Sequence, residues 1–539
     1  MQSPTQAPST APSPAPSPAP SQAPSQAPAT APAWRQEVAA AGRLTVHGLF
    51  RACARRDPGA LALEQGARRL SYREVDRRVL SLAAALHGLG LRRGDRLALL
   101  SENRIEYAEI ELACAALGAI VACQNWRLAP AELQHCIDLV DPALIVVSAR
   151  FEAVLSALDV GTRRPLVLER DYDALLASPP LDRLPDVDPE DGLVILYTSG
   201  TTGLPKGALI SHRAEIARNM VLRVDMHATE RDGFVAWAPM FHMGSTDQVL
   251  GALMSGATVI VVDGFDAEAI VGAMERHELG WMLLMPGSIE PVVELLARTG
   301  RRPKSIRAVG AMADLVPRHM IAELSRLTNA PYLNSFGATE TGLPPASSHL
   351  IPAGTIPESL SKRRSAFCDL RLLDADGNEV PDGEPGEAAV RGPTVFSGYW
   401  NADATNARDF AGGWFRMGDL FRRNPDGTYD FVDRAKYMIK SGGENIYPAE
   451  IERVLLSDPR IRDAVVVRRR DDRWGEVPVA FVARTDETLT APDIETLCRT
   501  HLAGYKRPKA VHFVAFEDFP RSTTGKILRH EMEERVGRG

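Results

Sequence analysis

Leu196–Gly207 reads LYTSGTTGLPKG. It packs three glycines, a proline, a lysine and five hydroxyl side chains (Tyr197, Thr198, Ser199, Thr201, Thr202) between two apolar runs, Leu193–Leu196 and Ala208–Ile210. The flanks read as buried strands. Glycine lets backbone N–H groups approach an anion closely, and the hydroxyls and Lys206 add donors, so the stretch is built to hold phosphates. It is not a Walker A loop, because Pro205 stands where a second glycine belongs and Gly207 follows the lysine in place of a magnesium-binding Ser or Thr.

Four further segments follow in order: NSFGATETG at Asn334–Gly342, GWFRMGDL at Gly413–Leu420, DRAKYMIKSGGENIYPAEIE at Asp433–Glu452 and PRSTTGKILR at Pro520–Arg529. With the phosphate loop, they resemble the signature of the adenylate-forming superfamily, which includes acyl-CoA synthetases, stand-alone adenylation domains and beetle luciferases. The resemblance runs from about Thr45 to the C-terminus.

At 539 residues the chain exceeds one ordinary domain. The 539 residues are 45% hydrophobic, enough for a large core, and the net charge of −7 carries no basic stripe of a nucleic-acid binder. No apolar run reaches the ~20 residues of a membrane span. Six scattered cysteines, without C-x-x-C spacing, read as small buried hydrophobes of a reducing compartment, so a cytoplasmic protein is expected. Residues 1–35 are almost wholly Ala, Pro, Ser, Gln and Thr, a composition that favours disorder.

Beyond Ser71, where Ser71 and Glu74 form a capping box, alternating patterns predict an α/β fold of parallel layers. Strands are expected at Leu97–Leu100, Ala119–Cys123 and Ala143–Val147, with helices at Ile105–Leu117 and Ala131–Leu139. A second cycle places strands at Ala257–Val262 and Trp281–Met285 around a helix at Ala267–His277. Short strands with Asp-Gly turns after Phe367 predict a β-rich subdomain. The expected division is therefore an adenylation domain over 36–433 and a small α+β domain over 434–539. The resemblance makes the latter a mobile lid with its hinge at Lys436.

The same resemblance assigns the site, with ATP, magnesium and coenzyme A as cofactors. Thr198, Ser199, Gly200, Thr201, Thr202, Gly203 and Lys206 would hold the β- and γ-phosphates. Glu340 would bind magnesium and Thr339 would donate to the α-phosphate. Asp419 suits the paired ribose hydroxyls, Arg434 adds a donor there, and Phe336, with Gly337, stacks on adenine where the family usually has tyrosine. Lys526 is the expected main catalytic residue, an ammonium contacting both the carboxylate and the α-phosphate. Gly442 and Gly443 would line the pantetheine tunnel as a strand, with Lys440 facing the site in the second lid state. Arg468–Arg470 and Lys506–Arg507 are candidates for the CoA phosphates.

His242 is a candidate gate between carboxylate and nucleotide. The candidate acyl lining (Met243, Met285, Met312, Ala338, Leu343) is apolar, which favours a fatty or aromatic acid over a charged one. Val309–Ala313, VGAMA, departs from the Gly-Gly-Ala-Pro-like family pattern. The expected activity is an ATP-dependent acyl-CoA synthetase; an acyl-AMP ligase serving a carrier-protein thiol is the alternative, and a luciferase-like oxygenase shares the motifs. A homodimer is compatible with this assignment.

Overall fold

Leu193–Leu196 is at most 1% exposed and forms the centre of the strand Gly192–Thr198, which turns into Lys206–Ser211. These two pair antiparallel at one edge of a six-stranded sheet. The other four strands, Ile120–Cys123, Arg96–Leu100, Leu144–Val147 and Leu166–Val167, run parallel, and their near-continuous apolar sequences suit a sheet covered on both faces. The computed structural model describes residues 33–198, 204–442, 444–521 and 526–537.

A second parallel layer contains Leu61–Gln65, Val259–Val261 and Phe234–Ala236, edged by the antiparallel Arg68–Ser71. It meets a third through the bridge between Gly233 and Leu279. That third sheet runs Glu278–Met282, Ser305–Val309, Tyr332–Leu333 in parallel and closes with Leu350–Ile351. The helix Ile105–Leu117 is buried at every position and packs on strands of the first two layers, which explains its all-round apolar character. Its Glu109 is neutralised by Arg78 and accepts from Tyr172 at 2.6 Å.

The β-rich subdomain is an antiparallel sheet of Asp369–Leu373, Pro385–Arg391, Trp414–Arg423, Phe410–Ala411 and Tyr429–Arg434. The C-terminal α+β part has a sheet in the order Glu444–Ile446, Ile439–Ser441, Gly475–Arg484, Ile461–Asp471, with Val511–Phe513 beside Gly475–Arg484. Helices Pro448–Leu455, Ala491–His501 and Arg529–Gly537 accompany it. Leu44–Gly539 packs as one compact unit. Of the expected tail, 33–35 alone lie within the described residues, and they open a helix, Ala33–Ala41.

The Ser71–Glu74 capping box is present and starts the helix Tyr72–Gly88. Ile105–Leu117 has the expected bounds, and the neighbouring elements shift by one residue at one or both ends. The strand expected at Trp281–Met285 begins earlier, at Glu278, because the Gly233 N–H donates to the Glu278 carbonyl and the Gly233 carbonyl accepts from the Gly280 N–H. Leu283–Met285 leaves the sheet to cap the helix Pro286–Thr299. Among the described residues, no helix is long and apolar enough to cross a membrane, and all six cysteines are free and buried.

Candidate active site

Several of the expected residues lie at or just past the carboxyl ends of parallel strands, where open α/β sheets hold ligands. Thr198 ends its strand there; His242, Met285, Met312 and Phe336 follow the ends of four others. Ser199, Gly200, Thr201, Thr202, Gly203 and Gly443 lie outside the described residues.

At the phosphate end, the Lys206 ammonium lies 3.9 Å from the centre of the Tyr399 ring and 4.0 Å from an Asp409 oxygen. Burial lowers the Lys206 pKa, opposed by Asp409 and Glu340. The Tyr399 hydroxyl donates to Glu340 Oε1 at 2.7 Å, and the Phe396 N–H donates to the Glu340 carbonyl at 2.8 Å. Glu340 is thus fixed at its backbone and at one carboxylate oxygen, facing the lysine of the phosphate loop. Tyr399 is a residue that motif reading missed. It sits in SGYW, 59 positions from its partner.

The segment 334–342 bends into a hairpin, with Gly337–Ala338 paired to Gly342–Pro345. A Cβ on Gly337 would lie 2.0 Å from the Gly342 carbonyl oxygen, so only glycine fits this approach. Phe336 packs 4.7 Å from Phe421 and 5.0 Å from Phe431 by ring centroids, half-buried and without the hydroxyl of a tyrosine. Two buried struts, also missed, hold the neighbouring loops. Lys362, wholly buried, contacts Asp314 and the Asn334 side chain, each at 2.5 Å. Arg218 donates to the Thr339 carbonyl at 2.9 Å.

Asp419 and Arg434 stand opposite each other on paired strands. Arg434 Nε lies 3.0 Å from Asp419 Oδ1, yet that oxygen, with the side chain 1% exposed, has no hydrogen bond of acceptable geometry. A buried acceptor left in this state costs free energy that a bound donor recovers. Burial raises the Asp419 pKa, while Arg434 and Lys526 oppose the rise.

Lys526 reaches the same place. Its charge acts on both His242 and Asp419. The side chain is solvent-accessible, but the surrounding protein and Arg434 lower its pKa to about 8, with Asp419 opposing. His242 caps the helix Met243–Ser255, its Nδ1 accepting from the Gly244 N–H at 3.1 Å. That bond assigns the ring proton to Nε2. Burial, then Lys526, pulls the His242 pKa down to about 4, so the ring is neutral at physiological pH.

The VGAMA departure has a structural form. Met312 takes a left-handed backbone (φ 48°), Trp281 Nε1 donates to the Gly310 carbonyl at 2.7 Å, and the Tyr332 hydroxyl donates to the Ala311 carbonyl at 2.7 Å. Met243, Met285 and Met312 are all partly buried against the main core.

One expectation changes on the lid. Gly442 is the turn (φ 60°) between the strands Ile439–Ser441 and Glu444–Ile446, not part of a strand, and a Cβ there would meet the Trp474 ring at 2.7 Å. Lys440 is exposed, its backbone bonded to Glu476. The basic runs are partly spent on internal pairs: Arg468 with Glu533 at 3.3 Å and Lys506 with Glu450 at 2.8 Å. Lys436 lies exposed in the single turn Ala435–Tyr437. Just before it, buried Asp433 accepts from the Ala449 N–H at 2.8 Å, tying the last strand of the β-rich sheet to the first lid helix. Burial raises the Asp433 pKa to about 6.

Comparison with known proteins identifies the family. Residues 50–400 match the family model of the AMP-binding enzymes, and 450–526 match that of the AMP-binding enzyme C-terminal domain. An indoleacetate–CoA ligase of Aromatoleum aromaticum is 36% identical over 89% of this chain and 96% of its own. A feruloyl-CoA synthase of an Amycolatopsis species is 34% identical over 90% and 97%. The solved o-succinylbenzoate CoA synthetase of Bacillus subtilis, in complex with its acyl-adenylate intermediate, superposes with a TM-score of 0.79 at 26% identity, covering 90% of this chain and 97% of that one. The chain belongs to the AMP-binding enzyme family. Within it, it is an ATP-dependent, AMP-forming acid–CoA ligase that acts through an acyl-adenylate.

Proposed function

We propose that the chain activates an aromatic carboxylic acid and passes the acyl group to coenzyme A, with Lys526, Asp419, Arg434 and Glu340 as its working set. The observation that carries the residue assignment is the buried Asp419 oxygen left without a hydrogen bond beside Arg434 and within the field of Lys526. The aromatic preference is supported by the relatives named for indoleacetate and ferulate, and by the methionines of the acyl lining, whose polarizable thioethers suit aromatic rings.

In the first half-reaction, a carboxylate oxygen attacks the α-phosphorus and pyrophosphate leaves. Negative charge gathers on the phosphoryl oxygens, so cations fixed beforehand lower the barrier. Lys526 stands between the carboxylate and the α-phosphate. Thr198 through Gly203 and Lys206 receive the outer phosphates, and Thr339 the inner one. Glu340 fits magnesium: its carboxylate, a hard oxygen ligand held at one oxygen by Tyr399, would hold the cation at the phosphate end of the site. Bound there, the metal neutralises phosphate charge. Asp419 and Arg434 take the ribose hydroxyls, and Phe336 the adenine. Neutral His242 offers its Nε2 proton between acyl and nucleotide sites without adding charge.

In the second half-reaction, the thiol attacks the acyl carbon and AMP leaves. The lid, 434–539, turns about Lys436, withdrawing Lys526 and bringing the Gly442 turn with Gly443 and Lys440 towards the thiol path. The enzyme works in the cytoplasm.

The substrate class is tested with a panel of arylacetic, cinnamic and straight-chain acids of matched size, following pyrophosphate release in the presence of CoA. An aromatic acid is expected to exceed the best aliphatic one in kcat/KM by at least about tenfold, or ~1.4 kcal/mol. An aliphatic acid with the highest kcat/KM contradicts the aromatic reading.

A further inference from the structure

Arg218 belongs to no motif. It lies on the helix His212–Met226 and is 3% exposed. Its guanidinium donates from Nη1 to both Asp247 oxygens at 3.1 and 3.3 Å, from Nη2 to the Thr339 carbonyl at 2.9 Å, and from Nε to the Thr394 carbonyl at 3.2 Å. Its methylenes fill the space beside Gly342, where a Cβ would lie 2.8 Å from Cγ and Cδ. Three parts of the site therefore meet on one side chain. Asp247 lies on the helix that His242 caps, Thr339 precedes Glu340, and the loop after Thr394 supplies the Phe396 and Tyr399 groups that hold Glu340.

A buried cation is expensive even when paired, and a well-packed apolar residue is often no less stable in its place. Stability alone therefore does not account for it. Burial raises the pKa of both Glu215 and Asp247, and the Arg218 charge opposes the rise in each. The planar fork of arginine serves acceptors in several directions at once, which a lysine ammonium of three tetrahedral donors does not reproduce.

We propose that Arg218 is a positioning residue for acyl-adenylate formation: it holds the Thr339 carbonyl and, through that loop and the one after Thr394, the Glu340 carboxylate at the phosphate end of the site. The proposal rests on the reading of Glu340 as the magnesium ligand. Removing a group that holds a metal ligand in place commonly changes metal affinity by about 10- to 100-fold.

The test uses the full chain with Arg218→Gln, Arg218→Lys and, beside them, Glu340→Gln. Magnesium dependence of pyrophosphate release is measured with the best acid, and thioester formation separately from supplied acyl-AMP and CoA. Arg218→Gln is expected to raise the half-maximal magnesium concentration by about tenfold and leave thioester formation within about twofold, with Arg218→Lys intermediate. Equal loss in both half-reactions, or an unshifted magnesium dependence in both Arg218 variants, overturns the proposal. If Arg218→Gln does not fold, Arg218→Lys carries the same comparison. A shifted Glu340→Gln with unshifted Arg218 variants removes only the positioning role; an unshifted Glu340→Gln removes the metal reading beneath it.

Discussion

Lys526 combines accessibility with a pKa near 8, set by the protein around it and by Arg434. Its ammonium form therefore dominates below about pH 8 and is lost above. With a charged Lys526 required, kcat/KM for adenylation falls as pH rises through that value. Lys526→Arg, whose guanidinium stays charged, moves this alkaline limb upward; an unmoved limb assigns the titration elsewhere. Lys526→Ala is expected to slow adenylation by at least about 10²-fold, roughly 2.7 kcal/mol, with thioester formation from supplied acyl-AMP much less affected. Equal losses would make the lysine structural. At this scale the sequence yields the groups that face ligand, because phosphate, ribose and metal chemistry narrows the residue types. It does not yield Tyr399, Lys362 or Arg218. Their partners stand 59, 28 and 121 positions away, and nothing local marks a tyrosine, lysine or arginine as a strut.

Among elements, the hinge gives the sharpest expectation. Lys436 occupies a single 3-10 turn between Arg434, paired with Asp419, and the lid strand Ile439–Ser441. Proline at 436 would fix φ there and disfavour the helical backbone of Ala435 before it. Lys436→Pro is expected to trap one lid state, so single-turnover analysis would find acyl-AMP accumulating without thioester, or thioester formation from supplied acyl-AMP without adenylation. Parental rates in both half-reactions would move the pivot elsewhere. Element types were readable where one face is apolar and a cap is present, as in Tyr72–Gly88. They were not readable in Met243–Ser255, which is buried from Gly244 through Met254 and has no polar side to set a period. The run at Trp281–Met285 misleads for a related reason: strand and following helix cap are equally apolar, and the strand's start is fixed by Gly233, a bridge residue just before another strand.

For the whole molecule, three sheets, a β-rich subdomain and the C-terminal part bring Lys206, His242, Glu340, Asp419, Arg434 and Lys526 into one linked set of charges and donors. Order and spacing of the sequence motifs carried the architecture; the acyl site, built from loops after Leu283, Val309 and Ala338, was legible only as apolar. The central claim is that this chain makes a CoA thioester by way of an acyl-adenylate. It is tested most directly by incubating the full-length protein with ATP, magnesium and its best aromatic acid, and quantifying AMP, acyl-AMP and thioester with free CoA, with a pantetheinylated carrier protein, and with neither. Acyl-AMP is expected to stay bound to the enzyme without a thiol, and AMP and acyl-CoA are expected in equal amounts when CoA is added. Thioester on the carrier but none with CoA at millimolar concentration would contradict it.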